Sequence, residues 1–307
     1  MADATLSHYA EYYALRGAVA ALDRLSMRRA GRIGEWLGAL GYRPFGIRRA
    51  VVERQVRAAL PALDEAEVRR IAFESYENLG RTAIETALLP TRSREQVLGM
   101  FSRVEGWDVV ERAMALGRGI LFVTGHLGNW ELAGSLVAAK GVPLEAVARR
   151  MQNPLFDRYL TRTRQSIGMS VIHDADAVRR VPRAMREQHA VAFLVDQGAV
   201  GLASTWVPFF GRLAKTPRGP AVFALRLEAP VIFGAALRQP DGRYMIGFEE
   251  VQAESTGDRD ADVDRIVAAY TATLERWVRR APEQYFWHHR RWKHQRPGTP
   301  PELGDPA

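Results

Sequence analysis

The sequence predicts an α/β fold: a mostly parallel central sheet flanked by helices, with a helical N-terminal cap. Three observations carry this. Between residues 119 and 251 short apolar runs alternate with longer amphipathic stretches, the order that crossover-linked parallel strands require. Those runs, such as ILFVT and AVAFLV, are rich in β-branched residues and hold no charge, as strands buried on both faces do. Ahead of them, the chain from residue 8 to 89 reads as helix throughout.

Residues 8 to 42 combine aromatics at the start, an Ala/Val/Leu centre and arginines at 16, 24, 28, 29 and 32. They read as one or two amphipathic helices able to lie in a membrane interface or to pack on the domain. Residues 47 to 60 and 64 to 89 are helices parted by Pro61, the second opening on Asp64 with Glu67 three residues on. Its apolar positions Val68, Ile71, Ala72, Tyr76, Leu79, Ala83 and Leu88 keep helical spacing, and Pro90 ends it. A short helix at 107 to 116 is closed by Gly117 and Gly119. Strands follow at 119–124, 144–148, 171–172, 190–195, 230–238 and 243–251. Helices at 131–140, 155–167, 176–187, 217–228 and 260–280 fall between or after them. The Pro/Gly-rich end beyond 296 reads as a disordered tail. The domain plan is an N-terminal helical segment at 1–45, one catalytic domain at 46–296 and the tail at 297–307.

Composition narrows the function classes. With no cysteine, disulfides and thiolate metal sites are excluded. The 307 residues are 47% hydrophobic and 25% charged, enough to bury a real core. A formal charge of +8, from 43 Lys+Arg against 35 Asp+Glu, suits nucleic acid, anionic lipid or an acidic partner. No run reaches the eighteen apolar residues of a spanning helix, and the start lacks the pattern of a secretory signal.

The chemistry concentrates in TGHLGNWE, residues 124 to 131. On a continuous helix His126 and Glu131 would stand roughly 140° apart around the axis and could not share a face. A strand ending at Thr124 and a helix starting near Asn129 or Trp130 resolve this. His126 then lies in a loop that Gly125 and Gly128 allow to turn tightly, Asn129 caps the helix, and Glu131 in its first turn folds back to the imidazole. A carboxylate there fixes the tautomer, and the other ring nitrogen acts as general base toward a hydroxyl. Alternatively, His126 serves a loop carbonyl and Glu131 merely occupies a favourable helix start. No G-x-S-x-G elbow surrounds any serine, which points to an incoming alcohol as nucleophile.

The block GILFVTGHLGNWELAG resembles the signature of the lysophospholipid acyltransferase superfamily, whose defining element is H-x4-D/E. Its context is similar to the late lipid A biosynthesis (lauroyl/myristoyl) acyltransferases and the related phosphatidylinositol mannoside acyltransferases, over residues 8 to 294. ARRMQNPLFDRYLTRTRQSIG resembles that branch's Arg-x3-Asn-Pro block, and APEQYFWHHRRWK its C-terminal ending. The resemblance implies O-acyl transfer from an acyl carrier protein or CoA thioester to a membrane glycolipid hydroxyl, a lipid A precursor above all. His126 would be the base and Glu131 its orienting partner. It implies no metal and no organic cofactor, only the acyl thioester as co-substrate. The implied partners are acyl carrier protein, the glycolipid acceptor and an anionic membrane surface, not nucleic acid. The implied place is peripheral, on the cytoplasmic face of the inner membrane.

Five further residues are candidates for substrate binding. Arg149 follows a strand at the same sheet edge and could clamp phosphate or carboxylate. Asp196, with Gln197, follows AVAFLV and could bind the acceptor, support the site or cap its loop. Lys215 and Thr216 precede a helix start that could hold an acceptor phosphate. Asn129 completes the set. Backbone N–H groups of 128–130 or Arg149 are the candidate oxyanion donors. The Trp287–Lys293 run, mixing aromatics and cations, suits docking at anionic headgroups or a phosphorylated sugar. Two rival readings share the sequence: a thioesterase using the same pair, and a non-catalytic protein that binds membranes or an acidic partner.

Overall fold

The computed structural model describes residues 4–198 and 203–306. Two helices open the chain, α1 (Leu6–Leu22) and α2 (Met27–Tyr42), followed by α3 (Arg49–Ala59) and α4 (Glu65–Leu88). Asp64 caps α4 through the N–H groups of Ala66 and Glu67, as its sequence predicts. The order then runs α5 (Arg94–Gly99), β1 (Phe101–Glu105), α6 (Trp107–Ala115), β2 (Ile120–Thr124), α7 (Trp130–Ala139), β3 (Leu144–Ala148), α8 (Pro154–Ser166) and β4 (Met169–His173). Next come α9 (Ala177–Arg186), β5 (Ala190–Leu194), β6 (Ser204–Phe209), β7 (Arg212–Pro217), α10 (Gly219–Leu227), β8 (Val231–Arg238), β9 (Tyr244–Val251) and α11 (Arg259–Arg280).

Seven strands form one sheet in the order β1-β9-β8-β2-β5-β3-β4. Five run parallel; β9 turns back on β8, and β1 follows β9. The fold class is the expected one. Four elements have no counterpart in the sequence reading: α5, β1, and the β6/β7 hairpin that stands outside the main sheet.

Successive residues of a strand face opposite sides, and the core divides accordingly. Phe122, Leu144 and Ala192 pack with α7, whereas Val123, Val147 and Phe193 pack with α10 and α11.

The N-terminal segment divides into two parts. No residue of α1 is buried, and Leu6, Tyr9 and Tyr13 are exposed. Helix α2 lies against α4 at backbone contact: a Cβ on Gly38 would meet the Tyr76 carbonyl oxygen at 2.0 Å, and one on Gly80 the Gly34 oxygen at 2.1 Å. Glycine is the residue that permits such an approach. Among the described residues no helix is long and apolar enough to cross a membrane.

The end of the chain, expected to be disordered, folds back as far as residue 306. Arg290 pairs with Asp305, and Arg212 donates to the Gly304 carbonyl. The Trp287–Lys293 run, expected at headgroups, lies largely inside: Trp287, Trp292 and Arg291 are buried, because their rings fill the space between the hairpin and Tyr285.

Candidate active site

Strands β2 and β5 lie side by side in register, Thr124 opposite Leu194. Two residues beyond those partners stand His126 and Asp196. Equal overrun from paired parallel strands brings both side chains to the carboxyl edge of the sheet, where open α/β sheets bind ligands. The imidazole Nδ1 lies 2.8 Å from Asp196 Oδ1, and Asp196 Oδ2 accepts the backbone N–H of His126 at 2.9 Å. The Asp196 carboxyl is fully enclosed. Burial is the largest single influence and raises its pKa, but the charge and hydrogen bonds of His126, with the Arg291 guanidinium, bring it down to about 2. The ionised carboxylate therefore holds a proton on Nδ1 and leaves Nε2 as the basic nitrogen. The Gln197 amide nitrogen is 3.3 and 3.4 Å from the two ring nitrogens. Trp130 and Phe286 flank the ring, with centroids 4.8 and 5.7 Å away.

Glu131 was expected to orient this histidine; among the described residues no hydrogen bond or ion pair joins the two. Its carboxylate is held instead by Arg164 of α8, at 2.5 and 3.1 Å. The helix begins at Trp130, so Glu131 leaves the first turn toward α8 rather than back over the loop. His126, Glu131 and Arg164 nevertheless line one cavity.

The loop between β2 and α7 is held from three sides. Asn129 caps α7 through the Leu132 N–H, while its own amide donates to Glu85 of α4 at 2.9 Å. Glu85 also takes the Tyr244 hydroxyl and, from the next turn of α4, the Arg81 guanidinium at 2.7 Å. Asn78 and Thr82 of α4 bond the Gly128 carbonyl, and the Gly128 N–H donates to Gln284. The Phe286 N–H donates to the His126 carbonyl, and the Asn129 N–H to that of Ala236. Gly128 has φ +60°, and a Cβ there would stand 1.9 Å from the Ala236 oxygen. A site held by rigid elements in this way is preorganised for one geometry.

The other expectations meet the structure as follows. Asn129 is fully buried and does not line the cavity. Asp196 binds His126, as just described. Thr216 is fully buried in β7 and bonds Arg291, and Lys215 lies in the same strand; neither lines the cavity, because α10 starts only at Gly219. Arg149 does line it, with Nε 3.4 Å from Asp174. The N–H groups of Gly128 and Asn129, two candidate oxyanion donors, are already spent on Gln284 and Ala236.

The cavity has a volume of about 630 Å³ and straddles the carboxyl edge of the sheet. One arm runs under α7 on the face of Phe122 and Ala192. It is lined by small residues, among them Ala133, Gly134, Ala146 and Gly234, together with Met169 and Phe248. The other arm runs on the opposite face, beneath α9 and α10.

Residues 3–294 match the family model for bacterial lipid A biosynthesis acyltransferase. The chain belongs to that family. It is an acyltransferase. Among its relatives, lipid A biosynthesis palmitoleoyltransferase of Escherichia coli (strain K12) is 28% identical over 266 residues, covering 85% of this chain and 84% of the relative. Lipid A biosynthesis lauroyltransferase of the same strain is 27% identical over 88% of this chain and 87% of its own length. Phosphatidylinositol mannoside acyltransferase of Mycobacterium tuberculosis (strain CDC 1551 / Oshkosh) is 28% identical over about half of each chain, 52% and 51%.

Proposed function

We propose that this acyltransferase moves a fatty acyl chain from an acyl carrier protein or CoA thioester to a hydroxyl of a membrane glycolipid. A lipid A precursor is the favoured acceptor, since the relatives similar over most of the chain are lipid A acyltransferases. A phosphatidylinositol mannoside is the second candidate, from the shorter match. The observation that carries the chemistry is the Asp196–His126 pair, with the carboxylate buried and the imidazole lining the cavity.

In the reaction, Nε2 takes the proton of the acceptor hydroxyl as its oxygen attacks the thioester carbonyl. Asp196 stabilises the imidazolium that forms. The tetrahedral intermediate then collapses, the carbon–sulfur bond breaks, and the imidazolium returns its proton to the departing thiolate. Gln197 and Arg149, both at the cavity, are the donors proposed for the oxyanion. The small-residue arm under α7 would hold the donor's hydrocarbon chain, because its lining beyond Glu131 and Arg164 is apolar. Glu131, neutralised by Arg164, would fix the wall of that arm at the histidine. Peripheral attachment at the inner membrane's cytoplasmic face would bring the acceptor to the cavity mouth.

The test is label transfer from acyl-acyl carrier protein and from acyl-CoA into lipid A precursor and into phosphatidylinositol mannoside, wild type beside His126→Ala. Label in one glycolipid with wild type alone supports the reading and names donor and acceptor. Histidine-dependent release of free fatty acid, without transfer, would replace it with a hydrolase.

A further inference from the structure

We infer that the second arm of the cavity, beneath α10, is a binding site for a phosphate ester. Five arginines line the cavity: Arg149, Arg164, Arg218, Arg226 and Arg259. Three are already matched by acids. Arg164 is held by Glu131, Arg149 faces Asp174, and Arg218 pairs with Asp260 at 2.8 Å and Asp264 at 3.4 Å. Arg226 and Arg259 have no ion pair, hydrogen bond or ring contact among the described residues.

The acids flanking Arg259 in the chain are engaged elsewhere. Asp258 caps α11 through the Ala261 N–H, Asp260 holds Arg218, and Asp262 is bound by Thr256 and Arg265. Arg259 is also the first residue of α11, where the helix dipole disfavours a cation, so it does nothing for the helix. On α10, Gly219, Val222, Phe223 and Arg226 all reach the cavity. Their spacing of three, four and seven residues makes one stripe, apolar in the middle with Arg226 at its end. The arm thus has an apolar wall, with two unmatched, solvent-exposed positive charges at its rim. A phosphate ester, with charge between about −1 and −2 and oxygens suited to guanidinium, is the complement. The arm under α7 has no such charge, so the two faces of the sheet sort an uncharged chain from an anionic group.

Two phosphates could come here, and naming them rests on the acyl-transfer reading: the phosphodiester of the donor's phosphopantetheine arm, or a phosphate on the acceptor glycolipid. Equilibrium binding separates them without turnover. Wild type and Arg226→Gln/Arg259→Gln are titrated with 4′-phosphopantetheine against pantetheine, and with glucosamine 1-phosphate against glucosamine. The expected result is that one phosphorylated probe binds wild type at least about tenfold more tightly than its phosphate-free form, with the preference lost in the double variant. The first pair showing it assigns the donor's phosphate; the second assigns the acceptor's. Equal binding of both members of each pair to wild type overturns the inference, as does a preference that survives in a double variant whose melting temperature matches wild type. Because no catalysis is read, a null result for His126→Ala in acyl transfer would remove the proposed function and leave this result standing.

Discussion

Asp196→Asn is the sharpest test of the site, because it keeps the shape of the side chain and changes only what its two outer atoms can do. In the wild type both carboxylate oxygens accept, one from the His126 backbone N–H and one from Nδ1. Asparagine supplies one acceptor and one donor. If its oxygen keeps the backbone N–H, its NH2 faces Nδ1, the ring proton moves to Nε2, and the base is lost. If the amide turns over, the backbone N–H of His126 meets a donor and loses its partner, a cost of about 1–3 kcal/mol. The first arrangement avoids that cost. Loss of the carboxylate from a histidine base reduces turnover by about 10⁴-fold in a hydrolase of the same logic, and a fall in kcat of about 10³–10⁴ is expected here. That is roughly 4–5.5 kcal/mol of barrier, with KM little changed since Asp196 is too deep to touch substrate. The assay is initial-rate acyl transfer at saturating donor and acceptor, run beside Glu131→Gln on protein of verified melting temperature. A kcat within fivefold of wild type for Asp196→Asn, with a thousandfold loss for Glu131→Gln, would return the orienting role to Glu131 and refute the argument.

Three further outcomes follow from packing and charge. Gly38→Ala places a methyl 2.0 Å from the Tyr76 carbonyl oxygen, so α2 must lift off α4; a net loss of about 1–3 kcal/mol is expected in urea unfolding, and an unchanged midpoint would contradict the contact. Gly134→Val fills the arm under α7 beside the Met169 sulfur, 2.6 Å from its Cβ, and should shift the preferred donor toward shorter acyl chains in a competition assay; an unaltered profile would place the chain elsewhere. His288 and His289 are both held at about 4, in each case first by burial, so the folded protein takes up their protons less readily than the unfolded chain. Their contribution is full above about pH 6.5 and falls as pH drops toward 4, by up to about 3 kcal/mol each; equal urea midpoints at pH 7.5 and pH 5 would exclude it.

Much of this architecture was legible in the residues, for reasons that differ by element. ILFVT and AVAFLV announce buried parallel strands because both faces must be apolar, and Asp64 and Asn129 announce helix starts through their capping side chains. Strand β1 was not legible: FSRVE is largely exposed at the sheet's edge and carries a weak pattern. The β6/β7 hairpin, STWVPF and RLAKTP, hides a proline and a lysine in strands that pair only with each other. The loop position of His126 followed from spacing, but its partner did not. Proximity along the chain favoured Glu131, whereas the partner comes from the neighbouring strand. The available signal was that His126 comes two residues after ILFVT and Asp196 directly after AVAFLV, which matters only if those runs pair in register. Nothing local marks Arg164 as the residue that draws Glu131 away.

The contact of α2 with α4 bears on how this enzyme can be shortened. Glu35 of α2 takes Arg81 at 2.8 Å, Arg81 takes Glu85, and Glu85 holds Asn129 at the head of the helix beside His126. A chain trimmed before residue 43 to shed its N-terminal helices would strip one carboxylate from a guanidinium that is otherwise buried. It would also bare the glycine face at Gly80. An enzyme whose anchor is a separate appendage survives such trimming with its turnover intact. Here α2 acts as a keystone: its removal is felt through Arg81, Glu85 and Asn129, at the loop that carries His126.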